Sequence, residues 1–238
     1  MFSYRHAFHA GNHADVLKHA VLVHVLQYLA QKDKAFWVID THAGAASYSL
    51  RGEHAQRSGE ANGGIALLWG RKDLPPLLQA YVDVVRADDN PGEVLRYYPG
   101  SPWIAHHLLR KQDRLRLFEL HPTDREILKG FFENDIPRVL TFEADGFEGL
   151  NSLLPPPPRR GLTLIDPSYE DKRDYRRVVA ALKAGLQRFE TGTFMVWYPQ
   201  VERPEAHDLP AQLKRVRSNG WLHATLTVRA PSPDGLGL

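Results

Sequence analysis

The apolar positions of residues 12–34, NHADVLKHAVLVHVLQYLAQKDK, fall four apart at Leu17, Val21, Val25 and Leu29. Asn12 precedes them as an N-cap residue and lysines close the segment, so the pattern predicts an amphipathic helix. AFWVID follows as a short, continuous apolar run, the mark of a strand buried on both faces of a parallel sheet. It stops at Asp40 and opens into THAGAASY, a loop of small residues. Residues from about 50 to 97 break this rhythm. GGIALLWGRKDLPPLLQAYVDVVRADDN predicts two short helices separated by Pro75-Pro76 with no strand between them, a helical insertion. PGSPWIAHHLLRKQD then predicts a helix with Ser101 as N-cap and Pro102 at the first helical position.

From there strands and helices alternate. RLRLFEL, RVLTFEA, LTLID and TFMVWYP predict strands, and TDREILKGFF, GFEGLNSLL and YRRVVAALKAGLQRF the helices between them. A helix around Glu205–Ser218 and a strand HATLTVR complete the series. Such βαβ units predict an α/β fold with a mostly parallel, doubly wound sheet, here as one domain over 1–238. PPPP at 155–158 predicts a stiff polyproline connector.

At 238 residues the chain can bury a sizeable core. The absence of cysteine excludes disulfides, thiol catalysis and cysteine-based zinc sites, and fits a reducing cytoplasm. The polar, histidine-rich N-terminus has no apolar segment of the signal type, and no run approaches the roughly 18 apolar residues of a membrane span. A net charge of +2 tilts only mildly towards an anionic partner. His9 and His13 are four apart, but Gly11 and Asn12 between them disfavour a helix and the H-E-x-x-H glutamate is missing, so no metal is expected. DKRDYRR, Arg159-Arg160 and Arg110-Lys111 are candidates for a phosphate-binding face.

In an open α/β sheet, ligands bind beyond the carboxyl ends of the strands. Acids stand at or beside four of those ends: Asp40, Glu119, Asp145 and Asp166. Glu119 can accept both ribose hydroxyls of a nucleoside cofactor, nicotinamide-bearing or S-adenosylmethionine. The loop after Asp40 carries one glycine, Gly44, and lacks G-x-G-x-x-G, which disfavours a pyrophosphate cradle and a dehydrogenase. A sulfonium cofactor needs no such cradle, and Asp145 would suit an adenine amino group. Asp166-Pro167-Ser168-Tyr169 adds a carboxylate and a proline-stiffened carbonyl, which together could accept the two hydrogens of an exocyclic amine, and an aromatic for an extruded base.

SYRHAFHAGNHADVLKH, DTHAGA, RYYPGSP, ELHP, ADGF and IDPSYE occur in one order and spacing. In them the chain resembles the bacterial 23S ribosomal RNA adenine-N6 methyltransferases, the RlmJ family, as far as about Tyr198. The resemblance implies a class I, Rossmann-like methyltransferase fold with a small helical subdomain inserted at roughly 50–97. It implies that His19, His42, Ser101, Glu119, Asp145, Gly146 and Asp166 contact S-adenosylmethionine. By the same resemblance Asp166 is catalytic, Tyr4 and Lys18 face the RNA, and Tyr169 stacks on the target base. A cytoplasmic monomer acting on 23S ribosomal RNA is expected. The alternatives are a DNA adenine-N6 methyltransferase and a non-catalytic RNA- or nucleoside-binding protein with a degenerate site.

Three departures stand out. Ala46 replaces the second glycine of the family's usual Gly-Ala-Gly, where its methyl could crowd the cofactor. The family's final Asn-Pro-Pro-Trp segment and strand have no counterpart, which would leave a sheet edge unprotected. Ser168 replaces the second proline of Asp-Pro-Pro-Tyr, relaxing the restriction on Pro167. Activity is expected to survive at a reduced rate. Steady-state methylation by Ser168→Pro checks this, a large gain showing that serine costs preorganisation and an unchanged rate showing that it does not.

Overall fold

The structure, a computed structural model, describes residues 5–217 and 220–228. Its centre is a five-stranded sheet of β1 (Trp37–Asp40), β4 (Arg114–Phe118), β5 (Val139–Phe142), β6 (Gly161–Ile165) and β7 (Thr193–Val196). The spatial order is β5-β4-β1-β6-β7 and every neighbouring pair is parallel. Strand order therefore reverses at β1, and a crevice opens beyond the carboxyl ends there. Helices cover both faces. Val38 and Ile39 are each 1% exposed yet belong to cores on opposite sides of the sheet. Two-sided burial is why the strand sequences are apolar without alternation.

One face is packed by α1 (His13–Ala30), α4 (Pro76–Ala87) and α5 (Ser101–Leu108), the other by α7 (Gly146–Leu153), α8 (Arg173–Arg188) and α9 (Pro204–Val216). α6 (Pro122–Phe132) joins β4 to β5. Asn12 caps α1 by accepting from the Asp15 amide at 2.9 Å. The inward stripe of α1 is not the Leu17–Val21–Val25 row, which is only half-buried. Asp15, Lys18, His19, Leu22, Val23, Leu26 and Leu29 are buried instead. Apolar spacing misplaced the face because its first turns bury charged residues against the crevice.

Between β1 and β4 lie α2 (Glu53–Ser58), α3 (Ala66–Trp69) and α4, flanked by β2 (Ser47–Ser49) and β3 (Tyr97–Pro99), which pair antiparallel. Three residues per strand leave too little alternation to read this ribbon from sequence. Asn90 holds it: its side chain accepts from the Arg96 and Tyr97 amides and donates to the Val85 and Tyr97 carbonyls.

Four expectations change. Gly100, not Ser101, caps α5, and the Ser101 hydroxyl turns to Asp40 instead. The proline run ends in a turn, the Arg159 amide donating to the Pro156 carbonyl, and is not a rod. Arg110 and Arg160 donate to carbonyls of residues 29–34, satisfying the end of α1 at the opposite pole from the crevice, so they do not join Arg173 and Arg177 in one phosphate-binding face. Residues 223–228 form no strand and are exposed, because an alternating segment without a ladder partner gains nothing from its pattern.

The insertion docks on the N-terminal segment backbone to backbone, the Ile65 amide donating to the Gly11 carbonyl at 2.8 Å. A Cβ on Gly64 would lie 2.1 Å from that same carbonyl oxygen. Gly64→Ala should therefore destabilise the protein by about 1–3 kcal/mol. Urea unfolding of the variant beside wild type measures it.

Candidate active site

β1, β4 and β6 end side by side, so their parallel register places Asp40, Glu119 and Asp166 along one rim. Asp145 sits beyond β5 as the N-cap of α7, accepting from the Phe147 amide at 2.9 Å. A cavity of about 890 Å³ opens above them. Lys18, His19, His42, Ser101, Glu119, Asp145, Gly146 and Asp166 all line it, brought together from six segments of the chain. Tyr4 lies outside the described residues. Ala46 is fully buried in the core and is not part of the lining, so its methyl does not crowd the cavity.

Glu119 is pinned by backbone: Oε2 accepts from the Gly44 amide at 2.7 Å and Oε1 from the His121 amide at 2.6 Å. Burial raises its pKa against those two donors. Gly44 turns with φ +62°, which directs its amide at the carboxylate. One lone pair on each oxygen remains for hydroxyl donors. Gly146 is required at the start of α7, since a Cβ there would lie 1.9 Å from the Thr41 carbonyl oxygen.

Asp145 has a partner that sequence reading missed. Arg177, from α8, donates to Oδ2 at 2.5 Å and lies 4.4 Å from the Phe147 ring centroid. Burial alone would raise the Asp145 pKa, but Arg177 and the amides at the start of α7 hold it below its usual value. Asp40 has the opposite fate. It is 2% exposed, accepts from Ser101 at 2.6 Å, and burial pushes its pKa up to about 7. Burial also keeps two of the cavity histidines neutral, His42 with a pKa of about 4 and His19 of about 3. His19 Nδ1 shares a 2.8 Å hydrogen bond with the Tyr98 hydroxyl.

Lys18, expected to face the RNA, lines the cavity beside Asp166 and is only 6% exposed. Its ammonium donates to Asp166 Oδ2 at 2.7 Å and lies 3.0 Å from Asp15 Oδ1. The i, i+3 spacing of Asp15 and Lys18 on an otherwise apolar helix was the signal that could have found this pair.

Tyr169 also departs from expectation. Its ring is 2% exposed, packed beside Tyr175 and Trp197, and its hydroxyl donates to the Trp197 carbonyl at 2.6 Å. It is therefore not an open stacking platform in this structure. Its φ of +56° is unusual for an aromatic residue and is held by that bond and by Arg203, which donates to the Tyr169 carbonyl. The motif loop is thus shaped from below, with Asp166 at the cavity and Ser168 exposed.

A family model described as "Ribosomal RNA large subunit methyltransferase D, RlmJ" matches residues 33–237. "Ribosomal RNA large subunit methyltransferase J" of Escherichia coli (strain K12) is 53% identical over 215 residues, 89% of this chain and 76% of that one. The protein of the same name from Haemophilus influenzae is 45% identical over 239 residues, 100% of this chain and 84% of that one. A crystal structure of a Legionella pneumophila protein superposes with a TM-score of 0.80 at 40% identity, covering 88% of this chain and 77% of that one.

The buried acid and histidines give opposite pH dependences. Asp40 keeps its proton to about pH 7 when folded, and releases it near 4 when unfolded. Its contribution to stability therefore falls as pH rises between those values and levels off above them. His19 and His42 lose stability in the other direction, as pH drops below about 6.5 and the unfolded chain takes up protons. Asp40→Asn removes only the first slope. Urea unfolding should show the variant gaining more on wild type at pH 8 than at pH 4, and an equal difference at both would refute the assignment.

Proposed function

Because the chain belongs to the RlmJ family of ribosomal RNA large subunit methyltransferases, we propose that it transfers a methyl group from S-adenosylmethionine to the exocyclic N6 of one adenine in 23S ribosomal RNA. The observation that carries this reading is the Asp166 carboxylate at the end of β6, on the cavity and held by Lys18.

The donor set suits the cofactor. Glu119 retains acceptor capacity for two ribose hydroxyls, and Asp145 can accept from an adenine amine beside Arg177. His19, His42, Ser101 and Gly146 also line the cavity, and 890 Å³ is within the size range of small-molecule cavities. When bound, S-adenosylmethionine supplies an electrophilic methyl group. The rest is the chain's own work. The N6 lone pair of adenine is delocalised into the ring and must be localised to attack. Asp166 Oδ1 accepts one N6 hydrogen and the Pro167 carbonyl the other, which drives the nitrogen towards a tetrahedral geometry. The ammonium of Lys18 on Oδ2 fixes the carboxylate plane and offsets its charge. The proton released after transfer leaves towards Asp166. In this reading the protein works as a cytoplasmic monomer.

Mass-spectrometric mapping of a 23S transcript after incubation with protein and cofactor tests the proposal, with duplex DNA as the parallel substrate. Methyl incorporation only into DNA favours the DNA enzyme, and cofactor binding without any product favours a binding protein. Asp166→Ala should lower turnover at least about 100-fold. It should leave the fold intact, because Asp166 is partly exposed and Lys18 keeps its contact with Asp15. Wild-type turnover by this variant would remove the catalytic assignment.

A further inference from the structure

Asp15 has no part in the reading above, yet its surroundings are hard to explain by stability. It is 2% exposed on the inward face of α1, whose later turns bury Leu22, Leu26 and Leu29. A carboxylate buried there must be paired, and an ion pair in such a place is often less stabilising than apolar packing of the same volume. Its partners come from different segments. Oδ2 accepts from the Gly11 amide and from His6 Nε2, both at 2.9 Å. Oδ1 lies 3.0 Å from Lys18 Nζ and 4.0 Å from His19 Nε2. One ammonium therefore stands between two carboxylates, Asp15 and Asp166.

We infer that Asp15 is a positioning residue for the methyl transfer, anchoring the Lys18 ammonium so that Lys18 stays on Asp166 Oδ2 while Oδ1 is presented to the target amine. The inference rests on the proposed function. Lysine is a point charge on a flexible four-carbon stem, and one carboxylate contact leaves its direction loosely set. A second contact from the same helix, one turn back, sets it. Asp15 is itself immobilised by the Gly11 amide and by its place in the first turn of α1. The groups facing this cluster include His6, Lys18, His19 and Asp166, with Tyr98 bonded to His19 and Tyr81 bonded to Tyr98, and from the end of β1 Asp40 faces Lys18 and Asp166 while His42 faces Asp166. Removing the Asp15 charge takes one anion from Lys18, which disfavours its protonated form.

The test is Asp15→Asn alone and in a Lys18→Met background, assayed on the 23S transcript. The single variant should lose about tenfold or more in kcat while the KM for S-adenosylmethionine changes less than about twofold. The alkaline limb of its kcat profile should move to lower pH. In the Lys18→Met background Asp15→Asn should change kcat by less than about twofold, since it acts through Lys18. NMR titration of the Lys18 ammonium in lysine-labelled protein, which needs no turnover, should show a lower midpoint in Asp15→Asn. Wild-type kcat in the single variant, equal losses in both backgrounds, or an unmoved Lys18 titration would each overturn the inference. So would the failure of both Asp15→Asn and the smaller Asp15→Ser to fold, which would mark Asp15 as purely structural. Wild-type protein that methylates no transcript would instead remove the proposed function, and the NMR titration would still decide whether Asp15 governs Lys18.

Discussion

A lysine ammonium buried between two carboxylates ties the first helix of this chain to the end of a strand 148 residues later. The rest of the site is arranged around that contact. It requires α1 to lie against the crevice with its first turns inward, which the Asn12 cap and the Gly11 turn arrange. It requires β6 to end where α1 begins, which the order β5-β4-β1-β6-β7 provides. Charges in a buried position are tolerated only when each has a partner, so the placement of α1, the N-terminal segment and the Asp-Pro-Ser-Tyr loop is mutually dependent.

The acids around the crevice share one residue class and little else. Asp40 is buried beside a serine hydroxyl and drawn towards its neutral form. Glu119 is raised by burial but carries two amide donors, and Asp145 is held low by a guanidinium. Asp15 shows the strongest compensation. Burial would raise its pKa, and His6 and Lys18 bring it well below the usual range. Chemistry differs between these carboxylates because their neighbours differ, and those neighbours come from helices on both faces of the sheet.

Much of the fold was legible. Buried strands advertise themselves as unbroken apolar runs, and the alternation with helices follows from the right-handed crossover. Reading failed where a local pattern had no partner or too many. HATLTVR alternates like a strand but does not pair over its described residues. The β2–β3 ribbon pairs with only three residues a side. Ser101-Pro102 has the composition of a helix start, but its hydroxyl serves Asp40 while Gly100 takes the cap position.

For the site, the sequence by itself determined which acids end the strands and which motif follows β6, because a parallel strand delivers its last residue to the same edge wherever it sits in the sheet. It also carried the family resemblance. Tertiary structure alone decided what those acids meet. Lys18, expected to face the RNA, is Asp166's partner. Tyr169 looked like a platform and is a core ring. Arg177 stood out only as part of a candidate phosphate-binding face and is Asp145's partner, and Asp15 was given no role. Apart from the i, i+3 pair of Asp15 and Lys18, these ion pairs join residues far apart in the chain, and no local spacing records which of many charges will be brought together across it.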